Sequence, residues 1–166
     1  MNNATTFPAI EALIPHRPPM VMVDRVVKVD GVETETAFSI TSDCLFVADG
    51  RLSEMGMLEN LAQTSFVFLN YFFVEPDQAL WDKGKDNLGV ISTILDLHVT
   101  ALPTVGQELH THTQTELVFT SDFLKICNIQ GTITVDGEVA LQATMKMLLQ
   151  TKDSVSDNEQ ERSTTG

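Results

Sequence analysis

The chain has 166 residues, 43% hydrophobic and 20% charged, which is one domain's worth of sequence with an ordinary globular composition. Its formal net charge of −13 argues against nucleic acid and anionic membrane surfaces as partners, since both are held through basic patches. Cys44 and Cys127 stand at no metal-ligand spacing and read as reduced thiols; with no basic, apolar leader at the N-terminus, a cytoplasmic location is expected.

In chain order, Phe7–Ile14 has the pattern of one or two helical turns, stopped by Pro15. Pro15, Pro18 and Pro19 predict a stiff, extended PHRPP segment. The β-branched run MVMVDRVVKV reads as a strand, and Asp30-Gly31 as a tight hairpin. The next strand alternates, with Val32, Thr34, Thr36, Phe38 and Ile40 on one face and Glu33, Glu35 and Ser39 on the other. TSDCLFVADGR reads as a loop with a short extended piece at Leu45–Val47.

Ser53 is placed to cap a helix over 54–74. Met55 to Val74 is as long as a membrane span, about 20 residues. It carries Glu59, Asn60, Gln63, Thr64, Ser65 and Asn70, however, and no basic cluster flanks it, so it reads as a helix buried inside a globule. Pro76 and the polar stretch to Asn87 close it. LGVISTILDLHVTAL, QELHTHTQTELVF and FLKICNIQGTITV follow as strands, with turns at Val105-Gly106, Thr120–Asp122 and Asp136-Gly137. In the last strand Val139, Leu141, Ala143, Met145, Met147 and Leu149 share one face. Residues 1–150 therefore read as one domain and 151–166 as a disordered polar tail. The economical architecture is α+β: a curved antiparallel sheet wrapped around one long helix, with an edge strand that a second subunit would cover.

Glu59 is the sharpest chemical signal. A carboxylate near the start of a buried helix is costly to ionise unless paired, and burial tunes it toward acid–base work near neutral pH; the other reading is a capping or solvent-facing glutamate. Gln63, one turn on, shares its face and could orient the carboxylate or a bound thioester. His16 and Arg17 sit between prolines, the first restrained for proton transfer, the second able to pair with Glu59 or meet a phosphate. They read equally as incidental polar residues of a surface loop. His110 and His112 share a strand face, but no further ligands accompany them, so no metal site is expected. His98 is expected to face solvent. Asp49-Gly50-Arg51 precedes the helix and would shape the entrance to a site. Serine-hydrolase elbows, phosphate-binding loops and dinucleotide fingerprints are absent, and no cofactor is expected.

LIPHRPPMVMVDRVVKVDG resembles the N-terminal strand of the 3-hydroxyacyl-(acyl carrier protein) dehydratases, MGMLENLAQT their helix start, and LPTVGQELHTHTQ a later strand; together the likeness runs from about Leu13 to Leu149. Within that family the chain most resembles the divergent dehydratase-like proteins of aryl-polyene and flexirubin pigment clusters. The resemblance implies a hot-dog fold. It places Glu59 on the family's catalytic acid, Gln63 on the glutamine beside it and Gly56 on the glycine at the helix start. It further implies a homodimer or trimer of dimers with sites at the subunit interface and an acyl tunnel beside the helix. One departure stands out: the family's G-H-F-P-G-x-P histidine is missing, and CLFVADGRLSEMG occupies its place.

The resemblance therefore implies a hydro-lyase that removes water from a 3-hydroxyacyl thioester on an acyl carrier protein or CoA. Glu59 and His16 would be its acid–base pair, with Gln63, Gly56 and Arg17 against the substrate. The imidazole comes either from His16 or from a different partner subunit. Two alternatives stay open: a non-catalytic acyl-binding subunit of a hetero-oligomeric dehydratase, and a hot-dog thioesterase. Phe66, Phe68, Phe72 and Phe73 read either as a tunnel lining or as ordinary core.

Overall fold

The computed structural model describes residues 7–73, 88–121 and 123–150. After a short 3-10 turn at Ile10–Ala12, the elements are β1 (Arg25–Asp30), β2 (Glu33–Ser39), β3 (Val47–Ala48), β4 (Arg51–Leu52), α1 (Glu54–Phe73), β5 (Leu88–Val99), β6 (Glu108–Thr120), β7 (Leu124–Val135) and β8 (Glu138–Gln150). Six strands form one antiparallel sheet in the order β1-β2-β6-β7-β8-β5, with β3 and β4 as a separate small hairpin. α1 packs on β1, β2, β6 and β7. This is the α+β hot-dog architecture, a sheet wrapped around one central helix.

Turn chemistry explains the hairpins. Asp49 (φ 51°) and Gly50 (φ 74°) turn β3 into β4, and Asp136 (φ 52°) and Gly137 (φ 84°) turn β7 into β8, both with the two positive φ angles that two-residue hairpins favour. The sequence suggests only a loop with an extended piece at Leu45–Val47; the structure places the β3–β4 hairpin there. Between β1 and β2, Asp30 pairs with Glu33, so the turn residues are Gly31 and Val32, one position later than the Asp30-Gly31 signal suggests. Val32 therefore sits exposed at the hairpin tip, not on the inner face with Thr34, Thr36, Phe38 and Ile40, which are buried.

A second correction has the same kind of cause. Ile133 pairs with Leu141 but Thr134 with Val139, so Ala140 is an extra residue in β8. The bulge shifts the alternation by one: Ala140 is buried and Val139 exposed, while Leu141 to Leu149 keep their expected face.

α1 starts where Ser53 predicts, its Oγ accepting the Gly56 N–H at 3.3 Å. Leu61 and Phe66 on the helix belong with Ile129, Ile133, Leu141 and Met145 to one hydrophobic core. Among the described residues no helix is long and apolar enough to cross a membrane. Pro76 to Asn87 and the tail 151–166 lie outside the described residues, as do the side chains of Phe72 and Phe73. Among the described residues β5 pairs with β8 alone, and beside its other edge Val90, Ile94, Leu95, Leu97 and Val99 are exposed.

Candidate active site

The segment before β1 is folded back onto the helix. The PHRPP stretch is not wholly extended: Met20 N–H donates to the Arg17 carbonyl at 2.9 Å, closing a turn in which the Pro18–Pro19 peptide is cis. Beyond that turn, Met22 and Val23 lie buried against α1. Three polar side chains of α1 receive this segment. Gln63 Nε2 donates to the Met20 carbonyl at 2.7 Å, and Gln63 Oε1 accepts the Met22 N–H at 2.8 Å. Asn60 Nδ2 donates to the Met22 carbonyl at 2.6 Å, and Asn60 Oδ1 accepts from the Thr111 hydroxyl on β6. Glu59 closes the set, its Oε1 accepting the second Gln63 amide hydrogen at 2.7 Å.

This clamp brings His16 to Glu59. His16 Nε2 lies 3.3 Å from Glu59 Oε1, and both side chains are about three-quarters buried, at 23% and 24% exposure. Burial, the largest influence, holds the His16 imidazole below its ordinary 6.5; the Glu59 carboxylate pulls it back up and the Arg17 guanidinium pushes it down. The ring is therefore neutral at pH 7. Its Nδ1 is buried without a hydrogen-bond partner among the described residues. The ring is held by its backbone and by the Phe66 ring, which meets it edge-on with centroids 6.0 Å apart.

Beside Glu59 a groove of about 480 Å³ runs between α1 and β5, lined by Phe46, Met55, Leu58, Ile91, Thr93 and Ile94. Two bulges, between Ile91 and Thr93 and between Ile94 and Asp96, break the ladder of β5 at this point. Such irregularities aim side chains into a cleft that regular pleating would turn away.

The other sequence candidates take definite places. Gln63 is fully buried and three of its four hydrogen-bonding positions are occupied by Glu59, Met20 and Met22, so it faces the carboxylate and the backbone. A Cβ at Gly56 would come within 2.6 Å of Phe46 Cβ and Leu52 Cδ1, so the glycine lets the helix start pack against the β3–β4 hairpin. Arg17 is exposed and its Nη1 donates to the carbonyls of Ile14 and His16, at 3.0 and 2.8 Å. His98 is exposed. His110 and His112 stand on the outer face beside Glu108 and Glu33, at 3.2 and 3.9 Å. Among the described residues no three His, Cys, Asp or Glu side chains gather to hold a metal. Cys127 is buried and its thiol is pushed up to about 11, chiefly by desolvation, which leaves it unreactive.

Sequence reasoning passes over Asn60, Thr111, Ile91 and Gly89. Asn60 carries a usable signal, since an asparagine inside an apolar helix is a poor helix former that needs a partner. The β5 bulges have none.

No relative is found among curated proteins. Solved structures share the fold. The dehydratase heterocomplex ApeI:P from Xenorhabdus doucetiae contains a chain that is 18% identical and superposes with a TM-score of 0.69, over 90% of this chain and 94% of that one. A hypothetical thioesterase from Streptococcus pneumoniae, solved with coenzyme A, is 11% identical with a TM-score of 0.53, over 78% and 88%. A phenylacetic acid degradation-related protein from Ralstonia eutropha is 15% identical with a TM-score of 0.53, over 75% and 83%. At the level of sequence, the ApeP-like family, described as ApeP dehydratase, matches residues 8–157. With that match spanning the sheet, the central helix and the His16–Glu59 pair, the chain belongs to the ApeP-like dehydratase family.

Proposed function

We propose that this dehydratase removes water from a 3-hydroxyacyl thioester, with His16 as base and Glu59 as acid. The observation that carries the reading is the 3.3 Å approach of His16 Nε2 to Glu59 Oε1, the latter a residue that lines the groove. The neutral imidazole takes the C2 proton. The proton taken up by His16 returns through the Glu59 carboxyl, 3.3 Å away, to the C3 hydroxyl. The C3–O bond breaks, the C2=C3 bond forms, and water leaves with an enoyl thioester behind it. His16 stands in for the histidine missing from the segment before α1, so the imidazole approaches from the N-terminal arm. Gln63 acts through Glu59, which it orients, and Arg17 is the exposed charge beside His16 that suits the phosphate of a carrier's prosthetic arm. The acyl group arrives on an acyl carrier protein or on CoA, in a biosynthesis of the fatty-acid or polyene type.

The free edge of β5 supports assembly with a second hot-dog subunit. A second copy of this chain gives a homodimer. A distinct dehydratase chain gives a heteromer of the kind the Xenorhabdus doucetiae heterocomplex represents, and in that case this chain can serve as a non-catalytic subunit. The test is enoyl formation from 3-hydroxyacyl thioesters by the full chain, alone and mixed with such a partner. Turnover lost in both Glu59→Gln and His16→Asn supports the acid–base pair. Turnover untouched by either change rejects it, and release of free thiol without enoyl product would identify a thioesterase instead.

A further inference from the structure

α1 rests on five buried threonines. Thr34 and Thr36 of β2 and Thr111, Thr113 and Thr115 of β6 share the inner face of the sheet, and none is more than 1% exposed. The register of β2 on β6 sets them in rungs, Thr36 opposite Thr111 and Thr34 opposite Thr113, with Thr115 two residues farther along β6. The first rung is satisfied by the helix. Thr64 donates its hydroxyl hydrogen to the Asn60 carbonyl at 2.9 Å, so Thr36 is the donor in its 2.7 Å contact with Thr64, and Thr111 donates to Asn60 Oδ1. The second rung is not satisfied this way. The hydroxyls of Thr34, Thr113 and Thr115 are buried and meet no donor or acceptor among the described residues. The Ser65 hydroxyl of α1 is turned to the Leu61 carbonyl at 3.0 Å, and Phe68 shares a pocket wall with Thr115.

We propose that Thr34, Thr113 and Thr115 form an internal water-binding site between α1 and the β2–β6 half of the sheet. Valine has the same shape as threonine and suits a strand as well, so three buried hydroxyls in one place are a costly choice unless each has a partner. A hydroxyl both donates and accepts, and water answers both. Side chains directly opposite in an antiparallel pair have Cβ atoms about 4.5–5.5 Å apart. One water making two bonds of about 2.8 Å spans Thr34 and Thr113. Thr115 stands about 7 Å from Thr113 along the strand and takes a further water. It also lines a pocket of about 520 Å³ with Val32, Phe68 and Leu117, which has ample room for water beside it. The site stands apart from the His16–Glu59 pair and does not depend on the proposed reaction. It extends the polar layer that ends at Asn60, the residue that holds the Met22 carbonyl.

Oxygen-17 relaxation dispersion counts long-lived internal water, and it is measured on the full-length wild type and on Thr34→Val, Thr113→Val and Thr115→Val. Thr36→Val, which removes a direct contact with Thr64, is the control. The amplitude should fall in the second-rung variants and stay at the wild-type value in Thr36→Val. Melting temperatures of the second-rung variants should drop by roughly 2–4 °C, because hydrogen bonds to water are lost; a hydroxyl without any partner would make the valine change neutral or stabilising. The corresponding serine variants keep the hydroxyl, should keep the amplitude, and maintain the comparison where a valine variant does not fold. An unchanged amplitude in folded valine variants overturns the proposal, as do valine variants that melt at or above wild type, or serine variants that lose the amplitude. Losses in Thr34→Val and Thr113→Val that fail to add in the double variant, with dispersion unchanged, would mean that the two hydroxyls bond each other, and would overturn it as well.

Discussion

Gln63 Oε1 accepts the Met22 N–H at 2.8 Å, tying the central helix to a segment 41 residues earlier. The same amide donates to Met20 and to Glu59, so one side chain sets the position of the N-terminal arm and the orientation of the carboxylate together. Gln63→Leu leaves the Met22 N–H and the Met20 carbonyl without their Gln63 partner and takes one hydrogen bond from Glu59, which keeps His16, at about 1–3 kcal/mol for each group that water cannot reach. The expected loss of stability is about 2–4 kcal/mol, read as a lower urea midpoint with an unchanged slope. Turnover should fall through kcat, since no contact to the substrate is removed. A variant within about 0.5 kcal/mol of wild type would show that the clamp is not needed.

The His16–Glu59 pair should behave as one unit. Glu59→Gln and His16→Asn are each expected to lower kcat by about 10²–10⁴. The double variant should lose little beyond the worse single one, because either change already disables the proton exchange. Steady-state enoyl formation by the four proteins decides it, and effects that multiply in full would mean the two residues act independently.

Much of this site was legible in the sequence because it depends on residue type against background. A lone carboxylate in an otherwise apolar helix is conspicuous, and Gln63 follows from helical spacing. His16 could be nominated but not placed, since its approach to Glu59 depends on a turn at Arg17–Met20 and on backbone bonds from Met20 and Met22 to Gln63 and Asn60. No pattern confined to PHRPP contains those long-range contacts. Strand alternation gave the inner face of β8 until Ala140, where an extra residue shifts the phase. The β5 bulges and the seat of Phe66 over Gly89 belong to tertiary packing, and only the bare glycine in an otherwise β-branched run hints at them.

The depressed His16 pKa fixes the sign of two pH effects. Catalysis by the neutral imidazole persists as pH falls through 6.5 and is lost only lower, so the acid limb of kcat/KM should lie below 6.5. For stability, the unfolded chain takes up the proton first, near its ordinary 6.5, while the folded chain resists it. This group's contribution is therefore present in full above 6.5, falls as pH drops below it, and levels off once the folded ring is also protonated. Relative to wild type, His16→Asn should lose that segment of the pH–stability curve. Chemical denaturation across pH 5 to 8 measures it, and parallel curves for the two proteins would contradict the assignment.

The free edge of β5 makes a prediction about assembly. A strand edge with no partner among the described residues, with Leu95 at 55% exposure and Leu97 close by, is a surface that another strand covers. Sedimentation equilibrium of the full chain, alone and with a hot-dog partner, should detect that pairing. Leu95→Lys together with Leu97→Lys should abolish it while the melting transition of the single chain survives. A complex unaffected by both changes would place the interface elsewhere.

The packing of Phe66 on Gly89 can be tested apart from any ligand. Gly89→Ala puts a methyl group into the space the ring occupies, and because the atom ahead of it is the rigid tip of a buried aromatic, the ring or β5 has to shift. Overpacking of this kind costs about 1–3 kcal/mol. If the contact is the cause, the penalty should shrink in a Phe66→Leu background, because the shorter side chain vacates the position. The double-mutant cycle then gives a coupling of about 0.5–3 kcal/mol. An equal penalty in both backgrounds would mean that Gly89 is required by the backbone of β5 and not by the ring.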